Sequence, residues 1–289
     1  MTVTTFSKLH ATGNDFLVWS RLDGRATVES VGAGQAAALC DRHRGVGADG
    51  LIVVTLGSDG ADAEMLLFNA DGGIAEMSGN GMRCVAWAAA RAGLGSNGSL
   101  LVDTGGGRRV VDLQRDERGA VIRATVDMGA VTFEPSEIPL DAPSAFDLEV
   151  DYHGVQYRGD AAGVGNPHLV LLVDDPATAR VTEHGRHLEH DSRFPRRTNV
   201  EFVTPAGVDT ITMRVWERGV GETLSCGTGA CAAAAVAHRR GLVGERVSVY
   251  VPGGHLVVEL GTTVRLGGPV VHVFDVDIDV DALVEERTQ

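Results

Sequence analysis

The chain has 289 residues, 44% of them hydrophobic and 22% charged, with a formal net charge of −14. That is enough apolar material for a substantial core without staples, no apolar run approaches the roughly 20 residues of a membrane helix, and the acidic balance argues against a general nucleic-acid binder. The opening MTVTTFSKLHATGNDF lacks a basic region followed by an apolar one, so no secretory signal is expected. The four cysteines, Cys40, Cys84, Cys226 and Cys231, form no CxxC pair and are expected to be reduced thiols in a cytoplasmic protein. Lysine occurs once, at Lys8, so a pyridoxal-phosphate Schiff base would have that residue alone to form on, and its surroundings do not read as such a site. The ten histidines include no HxxxH or HExxH spacing, so no metal is expected.

In chain order, QAAALCDR (35–42) predicts a helix and EMLLFNADGG (64–73) a strand running into a polar loop. GMRCVAWAAARAG (81–93) predicts a helix almost wholly of small or apolar residues, closed by Arg91 and Gly93. LLVDTGGGRRVVDL (100–113) reads as strand, glycine turn and strand. HGRH (184–187) lies in a polar stretch that reads as loop. TITMRVWERGVGE (210–222) is again a strand entering a loop, and GACAAAAVAHRRG (229–241) again a small-residue helix, ending in His238-Arg239-Arg240 and Gly241. HVFDVDIDV (272–280) predicts a late strand returning to the first half.

The chain repeats itself once. A shift of 148 lays Ser78-Gly79-Asn80-Gly81 on Cys226-Gly227-Thr228-Gly229, and Phe68-Asn69 on Trp216-Glu217. Shifts of 147 and 152 align residues 102–113 with 249–260, and Gly13-Asn14 with Gly165-Asn166. A helix apolar on every face is a buried one. The expected fold is therefore α+β, two pseudo-twofold-related domains, each a β-sheet wrapped around a central apolar helix. One domain spans 1–126 with a returning segment 272–289, the other 127–271, and a cleft between related surfaces is the expected place for a ligand.

The first-turn N–H groups of a helix point outward unpaired and carry partial positive charge, and glycines let an anion come close to them. Two such starts, SGNG (78–81) and CGTG (226–229), are related by the repeat, each led by a hydroxyl or thiol residue. Cys226 is either a small packing residue or a nucleophile or base whose pKa the helix start lowers. Cys40, Cys84 and Cys231 lie inside helical runs and read as packing residues, Cys84 being too deep in its helix to act as a base.

KLHATGNDF (8–16), RHRGVGADG (42–50), FNADG (68–72), SGNGMRC (78–84), GNPH (165–168), TNVEFV (198–203) and ERGVGETLSCGTGAC (217–231) together resemble the signature blocks of the diaminopimelate epimerases. The resemblance implies the fold just described with the site between its halves, and interconversion of LL- and meso-diaminopimelate without pyridoxal phosphate or metal, in lysine and peptidoglycan precursor synthesis. It implies two bases on opposite faces of one carbon, and substrate recognition by Asn14, Asn69, Asn166, Asn199, Glu217 and Arg218. Arg218 would suit the distal carboxylate as a bidentate donor, while Gly79, Asn80, Gly227 and Thr228 would supply an N–H cradle that stabilises charge on the α-carboxylate. Members of the family are often homodimers, and the implied partner is otherwise a small-molecule substrate.

One position departs from the pattern: the family pairs two cysteines, and where the first would stand this chain has Ser78. An alcohol is a far weaker acid than a thiol, so Ser78 would need an activating partner, with Glu76 and His10 as candidates. Two other readings stay open. One is a proline-racemase-like isomerase or dehydratase using Cys226 as its single base; the other is a catalytically silent amino-acid-binding protein.

Overall fold

The structure is a computed structural model that describes residues 3–22 and 32–285. The chain divides into two compact units, Met1–Val126 with Gly268–Gln289, and Asp127–Gly267. The first contains β1 (Val3–Ala11), β2 (Asn14–Arg21), α1 (Ala33–Cys40), β3 (Gly50–Leu56), β4 (Ala63–Asn69), β5 (Ile74–Ala75), α2 (Gly79–Arg91), β6 (Ser99–Asp103), β7 (Arg109–Arg115) and β8 (Val121–Asp127). The second contains β9 (Leu148–Tyr152), β10 (Val155–Gly163), β11 (Pro167–Leu172), α3 (Val181–Leu188), β12 (Asn199–Gly207), β13 (Thr210–Glu217), β14 (Gly221–Thr223), α4 (Gly227–Arg239), β15 (Arg246–Val251), β16 (Gly254–Glu259) and β17 (Arg265–Pro269). The chain then returns to the first unit as β18 (Val271–Asp279) and α5 (Val280–Glu285).

In the first unit the strands lie in the order β18-β1-β2-β3-β4-β6-β7-β8. The second unit repeats the order as β9-β10-β11-β12-β13-β15-β16-β17. Two neighbours in each are parallel, β2/β3 and β4/β6 in the first, β11/β12 and β13/β15 in the second. A parallel neighbour can be reached only by a crossover, and a helix makes each one: α1, α2, α3 and α4 in turn.

The crossover requirement corrects the reading of 184–187 as loop. HGRH lies within α3, whose buried residues Val181, His184, Gly185 and Leu188 recur at the spacing of one helical face. Two members of that stripe are histidine and glycine, so hydropathy hides it. The stripe packs against Leu169, Leu171, Val200 and Phe202 in the core of the second unit. The matching core of the first unit sets α1 residues Ala36, Leu39 and Cys40 against Phe6, Leu17, Leu51 and Phe68.

The central helices α2 and α4 occupy the other face of their sheets, and each meets several strands. Every residue of α4 from Gly229 to Ala237 is buried, and alanine on all sides lets the surrounding strands approach closely. α2 is also buried over most of its length but carries a charge in its core, Arg83, which is fully buried and donates to Thr12 and Asn80. Both helices close on a left-handed glycine, Gly93 at φ 91° and Gly241 at φ 69°.

The C-terminal end of each central helix is tied to its sheet by an arginine. Arg91 reaches Asp275 on β18 at 3.1 Å, while Arg240 grips Asp160 on β10 at 2.6 and 2.7 Å. Asp160 is 1% exposed and also accepts from the Asp147 amide. Asp160→Asn should lower the stability of the second unit by about 1–2 kcal/mol, since it removes the charge from a paired acceptor while Asp147 still accepts from the partly exposed Arg240 at 3.2 Å. Urea unfolding checks this, and an unchanged midpoint would mean that the pair carries no net stability.

Candidate active site

In the second unit Cys226 is the N-cap of α4, and its sulfur accepts from the Gly229 amide at 3.4 Å. Thr228 Oγ1 lies 3.5 Å from the same sulfur. Glu217, at the end of β13, takes a hydrogen bond from the Thr223 hydroxyl, and its charge acts on the Cys226 thiol. Beneath the first turn lies Glu201, fully buried on β12. A Cβ placed on Gly229 would sit 2.7 Å from Glu201 Oε1, so glycine is needed for the two to approach. Glu201 Oε1 also bonds His168 Nδ1 at 2.7 Å, and His168 Nε2 bonds Asn166 Oδ1 at 2.9 Å. The Asn166 amide completes the path by donating to Thr228 at 3.4 Å.

These surroundings reverse the expectation for the thiol. A helix start favours the thiolate, but burial, then Glu217, then Glu201 push Cys226 well above the ordinary thiol value, outweighing bonds from Thr228 and Gly229. Burial likewise raises Glu217. The resting proton therefore sits on sulfur, with a carboxyl beside it that can exchange it. The remaining thiols are inert: burial pushes Cys40 up to about 11 and Cys84 to about 12, and Cys231 is fully buried.

In the first unit Ser78 is the N-cap of α2, and its hydroxyl accepts from Gly81 at 3.1 Å. Among the described residues neither Glu76 nor His10 hydrogen-bonds it; the His10 ring accepts instead from Gly13 at 3.4 Å. Strand register identifies the positions equivalent to the Cys226 surroundings. His168 pairs with Asn199 where Phe16 pairs with Gly50, so Phe16 and Ile52 stand where the second unit has His168 and Glu201. A Cβ on Gly81 would accordingly meet Ile52, at 3.1 Å, rather than a carboxylate. Asn69 stands for Glu217 and is exposed at the end of β4. Among the described residues, Ile52 rather than an acid thus lies beneath the Ser78 helix start.

The other polar residues sort by unit. Asn14 opens β2 after the two-residue Thr12-Gly13 turn, where both residues have positive φ. Its amide donates to Asp49 at 2.7 Å and accepts from Asn80 at 3.2 Å. Asp49 is held by Arg42, which also binds Asp15, and Asp15 pairs with the buried Lys8. Asn199 is 4% exposed, with its amide donating to the Pro167 carbonyl and accepting from the Arg218 amide. Arg218 is exposed and donates to the Arg196 carbonyl. Gly79 and Gly227 are the first residues of their helices.

Sequence reasoning named neither His168 nor Glu201 as functional, nor the Lys8-Asp15-Arg42-Asp49 group. A signal was present for Glu201, a lone acid inside the apolar run NVEFV, which cannot be buried without a partner.

Two predictions concern this geometry. Burial alone would raise the Asp15 carboxyl, but bonds and charges from Arg42 and Lys8 bring it down to about 2 from 3.8. A depressed acid stabilises the fold above its unfolded value and loses that contribution as pH falls through the folded one. Asp15→Asn should cost on the order of 2 kcal/mol at pH 7, and the deficit should fade from about pH 4 to 2; an equal deficit at both ends in urea unfolding would rule out the charge as its source. Cys226 of the free protein should alkylate slowly at neutral pH, faster by about tenfold per added pH unit. Glu217→Gln should speed that reaction by removing one of the charges that raise the thiol; peptide mass spectrometry reads it, and a slower variant would contradict the assigned electrostatics.

The description "Diaminopimelate epimerase" belongs to the family model that matches residues 6–134 and 161–271. A diaminopimelate epimerase of Pelotomaculum thermopropionicum is 41% identical over 273 residues, covering 93% of this chain and 96% of that protein. Another, from Thioalkalivibrio sulfidiphilus, is 41% identical over 284 residues, covering 95% and 99%. Among solved structures, a hydroxyproline epimerase from Agrobacterium vitis shares the fold, with a TM-score of 0.70 at 17% identity over 96% of this chain and 91% of that one. With a matching family model over most of its length and relatives this similar end to end, the chain belongs to the diaminopimelate epimerase family.

Proposed function

We propose that this protein interconverts LL-2,6-diaminopimelate and meso-diaminopimelate by proton transfer at the α-carbon, without a cofactor. The observation that carries the reading is Cys226: a buried thiol that caps a helix start, with the charges of Glu217 and Glu201 acting on it. Breaking the α-C–H bond leaves a carbanion, and its charge spreads onto the α-carboxylate. The first-turn amides of α2 and α4, at Gly79, Asn80, Gly227 and Thr228, suit that carboxylate. A protonated Cys226 gives its proton to the carbanion; in the opposite direction sulfur must first lose its proton, and Glu217 is the acceptor at hand. Arg218 suits the distal carboxylate, and Asn14, Asn69, Asn166 and Asn199 suit the ammonium and carboxylate groups around the reacting centre, by direct contact or by holding the groups that make it. With this reading goes a cytoplasmic homodimer acting on a free amino acid.

Inversion requires a proton taken on one face and given on the other, so the reading asks Ser78 to serve the face opposite Cys226. The apolar residues Phe16 and Ile52 near the Ser78 helix start favour a second reading, in which Cys226 alone moves protons. Incubation of the purified protein with each isomer in deuterated buffer, with NMR for α-deuteration and chiral chromatography for configuration, separates them. Deuterium entering with inversion from both isomers is the expected result, and Ser78→Cys should then raise the rate by roughly 10²-fold or more. Exchange confined to one isomer without inversion would establish the single-thiol reading; binding without any exchange would leave a recognition protein.

A further inference from the structure

The segment expected to be a loop turns out to hold the turn that carries Glu217 and Arg218. Glu189 is the C-cap of α3, its amide bonded to the Gly185 carbonyl at 2.8 Å. Its carboxylate is 4% exposed and reaches away from its own helix. Oε2 accepts from the Trp216 indole N–H at 2.8 Å, and Oε1 accepts from the Gly219 amide at 2.9 Å. Those two donors bracket Glu217-Arg218. Between them the Arg218 amide is taken by Asn199 Oδ1, and the Val220 amide closes onto the Glu217 carbonyl at 3.1 Å. The three successive amides from Arg218 to Val220 are therefore all committed, and side chains from elsewhere in the unit satisfy the first two.

The helix is brought close enough for this by Gly185. A Cβ there would lie 2.5 Å from Trp216 Cβ, a separation that side chains do not tolerate. Trp216 thus packs against the backbone of α3 while its indole nitrogen is bonded one turn later on the same helix. Arg197 approaches the Glu189 carboxylate at 3.5 Å from the exposed side. A lone structural anchor for α3 would be satisfied by one such bond; here a single carboxylate holds both sides of a four-residue turn.

We propose that Glu189 is a positioning residue, whose ionised carboxylate clamps the Trp216–Gly219 turn and so sets where the Glu217 carboxyl and the Arg218 guanidinium stand. The inference deepens the functional reading, because it rests on those two residues recognising the substrate. Bonds to an ionised acceptor are shorter and stronger than neutral ones. Burial works against the charge, yet the bonds from Trp216 and Gly219, with His190 and Arg197 nearby, hold the carboxyl below the ordinary glutamate value, so it stays ionised at neutral pH. The conservative amide cannot copy it: glutamine offers one oxygen and one donor, so it can keep one of the two bonds and not both.

The test uses Glu189→Gln, Arg218→Ala and the double variant of the full-length protein. Calorimetry with an equilibrated mixture of LL- and meso-diaminopimelate gives the affinities, so turnover during the titration leaves the ligand composition unchanged. The ¹H–¹⁵N indole spectrum reads the clamp directly, since the chain has only three tryptophans and Trp216→Phe assigns the relevant peak. Glu189→Gln is expected to move the Trp216 indole resonance and weaken binding by about tenfold, with a smaller loss when added to Arg218→Ala, where only Glu217 is left to be misplaced. Unchanged affinity, or a loss that adds in full to that of Arg218→Ala, would overturn the proposal and leave Glu189 as a brace for α3. Normal binding by Arg218→Ala alongside a displaced indole resonance in Glu189→Gln would sink the substrate assignment instead, with the clamp standing. If Glu189→Gln fails to fold, Glu189→Asp, which keeps the charge but shortens its reach, carries the same comparison.

Discussion

Each central helix begins on a side chain that must bond the amide three residues later, and the atom that caps the helix is also the atom placed to do chemistry. Cys226 sulfur meets the Gly229 amide at 3.4 Å and Ser78 oxygen the Gly81 amide at 3.1 Å. The cap satisfies one of the orphan donors of a helix start, which fixes the sulfur and oxygen relative to the outward-facing amides before them. It also dictates the residue after: both receiving positions are glycine, since a strand residue, Glu201 or Ile52, packs directly against them. Small residues then continue along each helix because the sheet lies close on several sides. Reactive group, anion cradle and close packing are thus one geometric requirement.

The two units meet that requirement with the same backbone and opposite electrostatics. Under Cys226 the strands place Glu201 and His168, and the following turn places Glu217; under Ser78 the matching positions are Ile52, Phe16 and Asn69. In the second unit burial and the two acids favour the proton on sulfur. The first has an alcohol over hydrocarbon, and its charges are concentrated further out, in Lys8, Asp15, Arg42 and Asp49 around Asn14. Among the described residues, no acid stands in the first unit at the positions that Glu201 and Glu217 hold in the second.

What could be read in the sequence was what local pattern determines. The two small-residue helices and their glycine ends depend on spacing within a dozen residues, and the repeat showed because the same local patterns recur in the same order at a nearly constant offset. The helix at 181–188 did not show, because its buried stripe includes His184 and Gly185 and is apolar only in its packing against β12 and β13. Of the two readings open for Cys226, a lowered thiol rested on the helix start, which is visible locally, whereas the carboxylates that outweigh it arrive from positions 201 and 217. Glu189 was invisible as a functional residue since its partners lie 27 and 30 residues away.

The clamp by Glu189 and the ion group around Asp15 perform the same task in different ways. In both, a residue proposed to meet the substrate sits on a turn or strand end, and a carboxylate from elsewhere in the unit accepts from it or from its turn. In the first unit Asp49 accepts from the Asn14 side chain and so fixes which way the amide points; in the second Glu189 and Asn199 accept backbone amides and so fix where the whole turn stands. Fixing an amide chooses between a donor and an acceptor at one place. Fixing a turn positions a carboxyl and a guanidinium together, which is the stronger constraint on a substrate that carries both kinds of charge at a set separation.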